Sequence, residues 1–599
     1  MKPIILDHYR DHQLKDIDES FLSKTLTLTG RISSIRDHGD LVFIDLREDG
    51  EMFQIKFSRE GFADLDAITK LHKESVIRVQ GPIVRRADDD INTKIKSWTI
   101  EMECQTIDVL STSKVLPFQI HDAKTVGESH RLEYRFLDLR SDHMRDSIIM
   151  RSKIIAQMRT FFIAKDFLEI ETPILSRGTD EGSREFIVPS RLYSGQWFVL
   201  PQAPQQFKQM LMVSGFDKYF QVARCFRDED DKGDRQPEFT QVDVEQAFVS
   251  QEEIITLMTD LLKDMLAKFY PTRKLHHRCF EKIPYAQAME KYGTDKPDIR
   301  FWLEMKEVTD IVAPTDFQVF KQQIEMWGIV KCIKVDQDLT KKQIEDLTKI
   351  AIQAWLGGLA YITVQPDYLQ SPIVKFLGEE VSQHLVQTMD AKVGETIFFS
   401  AAKADIACKA LDIVRRELGK MLHLYDEEEL AFCWIVDFPM FERTITGKRK
   451  FTHNPFSMPQ VQYLDDFLAQ KDIEKILAQQ YDIVLNGCEI WWWSIRAHLP
   501  ELLTTTYKIM GYKDEEMQRS IGTMLKAFDY GAPPHGWIAL GLDRLLMILQ
   551  WEKSLREVIA FPKTWGGQDL LWWSPSAISA KALSDAHIKI EEYITGQRR

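Results

Sequence analysis

Cysteine is scarce in this chain: seven in 599 residues, scattered, with no C-x-x-C pair. That argues against a zinc ribbon and against a disulfide scaffold, and leaves reduced, buried thiols as the ordinary reading. Basic charge is also short. Lys and Arg total 77 against 91 Asp and Glu, for a net charge of −14, and residues 1–111 are acidic on balance. Composition therefore favours a metabolic enzyme over a nucleic-acid binder, and any RNA contact must come from a local patch. No apolar run approaches the roughly 18 residues of a membrane span, so no membrane association is expected. Residues 1–8 lack an apolar signal region, so the expected location is cytoplasmic. Repeats and low-complexity tracts are absent. The rest is ordinary for a globular protein: 44% hydrophobic and 28% charged residues, in a chain long enough for several domains.

Residues 24–110 alternate at period two in short runs. Thr25 to Gly30, Leu41 to Leu46, Met52 to Phe57, Val76 to Gly81 and Trp98 to Met102 read as strands, with Asp49-Gly50 as a turn. Five strands in under a hundred residues suit a small barrel, either an oligonucleotide-binding OB-fold or a plain barrel of another role. Residues 117–133 are polar and show no clear period. From about Ser141 a helix is predicted, with Ile148, Ile149, Ile154, Ile155, Met158, Phe161 and Phe162 at helical spacing. Phe167 to Leu175 then reads as a strand broken by Pro173. Helices and strands mix from 286 to 424, and nothing there reads as catalytic.

Two distant segments carry chemistry. The first runs Arg224-Cys225-Phe226-Arg227-Asp228-Glu229-Asp230 and continues through Arg235-Gln236-Pro237-Glu238-Phe239. The second is Gly541-Leu542-Asp543-Arg544. An arginine beside acidic residues, followed by an aromatic, suits a magnesium-bound triphosphate with a stacked adenine. A second arginine after a glycine suits the far phosphate. Together they resemble motifs 2 and 3 of the class II aminoacyl-tRNA synthetases, and the helix and strand of 141–175 resemble motif 1, although an ordinary amphipathic core helix has the same pattern. Over nearly the whole chain the similarity is to the bacterial-type aspartyl-tRNA synthetases. Gly293-Thr294-Asp295-Lys296-Pro297-Asp298 and Ser371 to Leu377 match their insertion domain.

The resemblance implies an α+β multidomain protein. Its parts are an N-terminal OB-fold anticodon-binding domain (1–112), a hinge (113–140), a class II antiparallel catalytic sheet with flanking helices in two parts (141–285 and 425–565), an α/β insertion domain (286–424) and a C-terminal extension (566–599). It implies ATP and Mg²⁺ as cofactors, L-aspartate and tRNA(Asp) as partners with tRNA(Asn) as a second candidate, and a homodimer. Arg227 is implied at the α-phosphate and the substrate carboxylate, Glu229 near adenine or magnesium, and Phe239 stacked on adenine. Arg544 is implied at the γ-phosphate, where its planarity matters. Asp482 and Glu489 are implied as magnesium ligands, hard oxygens suited to that ion. Gln205, Lys208, Asp243 and Arg496 are implied around the aspartate side chain, with Glu181 of the 178–183 loop at its amino group and His453 nearby. Arg36, His38, Phe43 and Gln54 are implied at the anticodon; without the resemblance Phe43 reads as a core residue.

The pattern breaks at Trp491, Trp492, Trp493 and Trp537, where the resemblance implies glycine. On a strand, Trp491 and Trp493 share one face and Trp492 takes the other, so at least one indole is expected on the ATP side. The expected function is an aspartate–tRNA ligase. The alternatives are a synthetase-shaped RNA-binding protein whose adenylate pocket is blocked by the 491–493 run, and the lysine or asparagine branch of the same subclass.

Overall fold

The computed structural model describes residues 6–62, 65–86, 97, 99–178, 183–229, 235–444 and 447–590. The chain divides into two compact units. One comprises Met1–Ile149 with Asp569–Ser574; the other comprises Met150–Gln568 with Pro575–Arg599.

In the first unit, Thr25–Asp37, Leu41–Glu48, Glu51–Ser58, Val76–Arg85, Ile100–Glu103 and Thr106–Ser111 form a six-stranded sheet. The first and fourth strands also pair, which closes it into a barrel. The last strand went unseen in the sequence because its residues are half-buried rather than alternating. Val42, Ile44 and Leu46 are fully buried inside, so the intervening Phe43 and Asp45 face outward. Gly81 is required by packing: a Cβ there would run into the Glu103 carbonyl. The segment expected to be an irregular hinge instead forms helical turns at Ile120–Thr125, Glu128–Glu133 and Arg135–Asp138. They are too short to show a period. The buried Asp138 anchors them, accepting from Arg135 at 2.5 Å and from Arg131 at 3.5 Å.

The second unit is built on an eight-stranded sheet, in the order Glu281–Pro284, Phe432–Val436, Gln480–Leu485, Cys488–Ile495, His535–Gly541, Glu238–Ala247, Lys218–Phe226 and Leu168–Glu169. The six inner strands pair antiparallel, and the two edge strands are parallel to their neighbours. The strand expected over Phe167 to Leu175 is only the two residues Leu168–Glu169; the stretch then runs into Pro173, which cannot donate to a ladder. One sheet face packs on the helix Gln251–Phe269. Ser250 starts that helix with a capping box to Glu253. Ile254, Met258, Leu261, Leu262 and Met265 line its buried stripe. The opposite sheet face is left for polar side chains. Between the two halves of this sheet the chain forms a separate five-stranded sheet, Met305–Glu307, Ile329–Val335, Thr396–Ala402, Ala360–Val364 and Leu369–Gln370, flanked by helices. Every pairing in it is antiparallel.

Candidate active site

The polar face of the eight-stranded sheet holds a cavity of about 370 Å³. Its walls come from both distant motifs. The strands Lys218–Phe226 and Glu238–Ala247 form an antiparallel pair in which Cys225 faces Phe239. Arg227 lies just past the strand end, held by its N–H to the Pro237 carbonyl at 2.9 Å. Its guanidinium stands 5.0 Å from the Phe239 ring centre. Glu229 accepts from Ser183 Oγ and, at 2.7 Å, from Arg235 Nη1. Burial would raise its pKa, but these two donors hold it below the usual carboxylate range.

The second motif enters where the strand His535–Gly541 turns into the helix Leu542–Leu549. Asp543 ties the parts together: its carboxylate accepts from Arg151 Nη1 at 2.5 Å and from Thr240 N–H at 2.9 Å. Arg544, in the first helical turn, reaches the Glu489 carbonyl at 2.6 Å. Arg227, Glu229, Phe239, Glu489 and Arg544 all line the one cavity.

The strand Cys488–Ile495 carries a β-bulge. Val484 faces Glu489 and Ile483 faces Trp491, so Ile490 is the extra residue. Residues 489 and 492 are three apart and would face opposite sides of a regular strand; the bulge brings both to the cavity wall. Trp491 and Trp493 point into the core on the far face, with Trp493 edge-on to Trp434 at 5.0 Å. Of the three indoles, that of Trp492 is on the cavity side. The cavity keeps a volume of about 370 Å³ with Trp492 in its wall.

The expected aspartate-reading residues converge deeper in the sheet. Lys208 Nζ lies 2.6 Å from Asp243 and 3.5 Å from Glu245. Arg496 donates to Gln205 Oε1 at 2.5 Å and to Asn454 Oδ1 at 3.1 Å, with Glu245 at 3.8 Å. Lys208, Asp243, Glu245 and Arg496 have no solvent exposure. Burial pushes the Lys208 pKa down and the Asp243 pKa up, each against the pull of its partners. It also raises Glu245 to about 7, against the lowering effect of Lys208 and Arg496. Between the two cations stands Trp537, its ring centre 3.7 Å from Lys208 Nζ and 4.0 Å from Arg496 Cζ. Trp492 packs edge-on against Trp537 at 4.9 Å.

His453 is not part of that group. It packs edge-on against Phe438 at 4.8 Å. Burial lowers its pKa, opposed by Glu489 and Asp295, so its charged surroundings are those of Glu489. Glu181 lies outside the described residues. Asp482 and Glu489 share a sheet face, and Lys296 Nζ sits 2.7 Å from Glu489. Burial, then the Glu489 charge, pushes the Asp482 pKa well up. At Glu489 burial pushes the pKa up, but Lys296, with Arg544 and His453, holds it below the usual carboxylate range. Neither Asp482 oxygen has a hydrogen-bond partner among the described residues. An orphaned buried carboxylate beside a second carboxylate is a donor set that fits Mg²⁺.

In the barrel, Arg36 makes a two-pronged pair with Asp45 at 2.6 and 2.9 Å and donates to Gln54 at 3.1 Å. Gln54 in turn donates to Glu101 at 2.6 Å. His38 lies edge-on to Phe43 at 5.7 Å. Phe43 is half-buried and outside the barrel core, so the core-residue reading fails; Arg36, His38 and Phe43 share one outer patch, and Gln54 is buried beside Arg36.

Sequence reasoning missed three groups, two at the cavity and one in the Lys208 and Arg496 cluster. Lys296 and Arg416 come from the insertion segment, where nothing was read as catalytic, yet both line the cavity. Glu245 stands two residues after Asp243 on one strand; that spacing puts it on the same face and was a usable signal.

Comparison with known proteins agrees with this geometry. Residues 127–565 match the family of class II tRNA synthetases (D, K and N), and residues 26–110 match the OB-fold nucleic acid binding domain. The aspartate–tRNA(Asp/Asn) ligase of Hydrogenobaculum sp. (strain Y04AAS1) is 44% identical over 593 residues, covering 97% of this chain and 100% of that protein. The enzyme of the same name from Pelagibacter ubique (strain HTCC1062) is 40% identical over 598 residues, covering 98% and 100%. An aspartyl-tRNA synthetase structure from Entamoeba histolytica shares the fold at a TM-score of 0.56 and 19% identity, over 92% of this chain and 91% of that one. The chain belongs to the class II tRNA synthetases of the D, K and N group and, within it, to the aspartate–tRNA ligases.

Proposed function

We propose that the 370 Å³ cavity is the nucleotide half of the ligase site, and that the Lys208 and Arg496 cluster is its amino-acid half. The chain joins L-aspartate to ATP, giving aspartyl-adenylate and pyrophosphate, and then passes the aspartyl group to a tRNA hydroxyl with release of AMP. The observation that carries the reading is the convergence of Arg227, Glu229 and Phe239 with Arg544 and Glu489 on one cavity wall.

The chemistry asks for fixed positive charge where the pentavalent phosphorus develops negative charge, and for positioning rather than covalent help. Arg227 supplies that charge at the α-phosphate. Phe239 offers its ring to adenine. Arg544 meets the γ-phosphate, its place set by Asp543. Asp482 and Glu489 would hold a magnesium ion, which when bound screens the phosphate oxygens. Lys208, oriented by Asp243, and Arg496, oriented by Gln205 and Asn454, read the side-chain carboxylate of aspartate, and Arg227 meets its other carboxylate. Glu181 meets its amino group. Arg36, His38, Phe43 and Gln54 contact the anticodon of tRNA(Asp), and of tRNA(Asn) as well. The enzyme works in the cytoplasm as a homodimer.

The test is aspartate-dependent exchange of pyrophosphate into ATP. Arg227→Ala and Arg544→Ala should each abolish exchange while leaving thermal unfolding unchanged. Near-normal exchange in both variants would sink the assignment.

A further inference from the structure

Four of the 14 tryptophans take the left-handed backbone that favours glycine, and four more lie at or beside the site. Three of them close helices. Trp327, Trp355 and Trp551 each follow the C-cap residue of a helix, those ending at Glu325, Gln353 and Leu549. Each has positive φ, at 60°, 72° and 58°. Each also makes the paired hydrogen bonds of a Schellman motif. For Trp355 these run from its own N–H to the Ile352 carbonyl at 3.0 Å, and from the next N–H, of Leu356, to the Ala351 carbonyl at 3.1 Å. For Trp551 they reach Ile548 at 3.1 Å and, from Glu552, Met547 at 2.9 Å. That position is glycine's, because a Cβ is penalised in the left-handed region. The same chain uses glycine there after the helices Gln205–Val213 and Pro500–Ile509, at Gly215 and Gly511, both with φ of 85°. Trp327 and Trp355 are 94% and 84% exposed, so no burial of the indole compensates. Trp573 also has positive φ, 52°, and is 80% exposed.

The other four are at the site. Trp491 and Trp493 are buried with their indole N–H groups unpartnered among the described residues. Buried tryptophan N–H groups ordinarily find an acceptor; Trp434 does, at Thr259 Oγ1, 3.2 Å away. Trp492 and Trp537 pack on each other, and Trp537 fills the space between Lys208 and Arg496. Those two cations contribute nothing to the wall of the open cavity. The Trp537 indole lies against both.

We infer that positions 327, 355, 491, 492, 493, 537, 551 and 573 are glycine in the protein as translated in its own cell, and that glycine at 492 and 537 opens the amino-acid half of the site. One codon accounts for all eight: UGA is read as tryptophan under one genetic code and as glycine under another. Removing the indole at 537 leaves room flanked by Lys208 and Arg496, with Asp243 and Glu245 behind, which suits a small amino acid bearing a second carboxylate. The inference rests on the ligase reading for its substrate but not for its backbone argument.

Peptide mass mapping of the protein purified from the cells that make it decides the residue identities. Glycine at the eight positions is expected; tryptophan at 327, 355 and 551 would overturn the inference. A recombinant pair tests the consequence. The all-tryptophan chain should bind ATP and show slow but measurable aspartate-dependent exchange. The chain with all eight replaced by glycine should exchange at least tenfold faster. Equal exchange by the two forms overturns the inference. If the glycine form binds ATP yet exchanges with no amino acid, the ligase reading fails instead, and the mass map still decides the glycines. Should the eightfold variant fold poorly, the triple variant Trp327→Gly, Trp355→Gly, Trp551→Gly must melt above the parent; a lower melting temperature counts against the inference.

Discussion

Replacing Asp543 by alanine should damage this protein more than replacing either arginine that faces the cavity. The carboxylate is 3% exposed. It accepts from Arg151 at 2.5 Å and from Thr240 N–H at 2.9 Å. Alanine leaves the Arg151 guanidinium, whose side chain is 14% exposed, with the Val558 carbonyl at 3.2 Å and Thr240 Oγ1 at 3.0 Å but no counter-charge. Breaking a buried pair by removing one partner costs about 3–5 kcal/mol. The orphaned Thr240 N–H costs about 1–3 kcal/mol by itself. The two overlap, so about 3–5 kcal/mol is expected for Asp543→Ala. Asp543→Asn keeps an acceptor for Thr240 and should lose about 1.5–3 kcal/mol, the scale of a hydrogen bond to a charged group. Because Arg544 is the next residue, exchange activity should fall in both variants under conditions where each is still folded. Urea titration of the unit that holds the site, with exchange measured in parallel, gives both quantities. A cost below about 1 kcal/mol for alanine, small on the scale of a broken buried pair, would refute the idea that this carboxylate ties the three segments together.

Phe43→Ala should weaken tRNA binding by about 1–3 kcal/mol, the scale of a base stacked on an aromatic, and leave exchange unchanged; a titration of tRNA into both forms checks this. Lys296→Met removes the cation that holds Glu489 ionised, so the Glu489 pKa rises and the acid limb of the exchange pH profile should move to higher pH; an unmoved limb would remove Lys296 from the site. His535 is buried with Nδ1 2.7 Å from the Pro533 carbonyl, and burial lowers its pKa from 6.5 to about 3. A depressed histidine stabilises the fold above pH 6.5 and loses that contribution as pH falls toward 3, at up to about 1.4 kcal/mol per pH unit. The pH dependence of urea midpoints, compared with His535→Gln, should show that slope in the parent and its absence in the variant.

The sequence by itself singled out Arg227, Glu229, Phe239 and Arg544, which the structure brings to one cavity. Arg227, Glu229 and Phe239 are close along the chain and Arg544 follows a glycine turn, so local spacing carries their chemistry. It also determined the barrel, because period-two alternation is a local signal. The face of Phe43 was not determined: Leu41, Val42, Phe43 and Ile44 are all apolar, so alternation cannot say which pair turns inward, and closure of the barrel decided it. The shared wall of Glu489 and Trp492 depended on the bulge at Ile490, which no local pattern marks. Lys296 reached Glu489 from a segment nearly two hundred residues away, a distance over which charge pairing leaves no trace in spacing. The enclosure of Lys208 and Arg496 around Trp537 likewise needed the tertiary structure. It is a matter of how three strands and a helix pack, and packing is long-range: the same residues in the same order would read identically with that pocket open or closed.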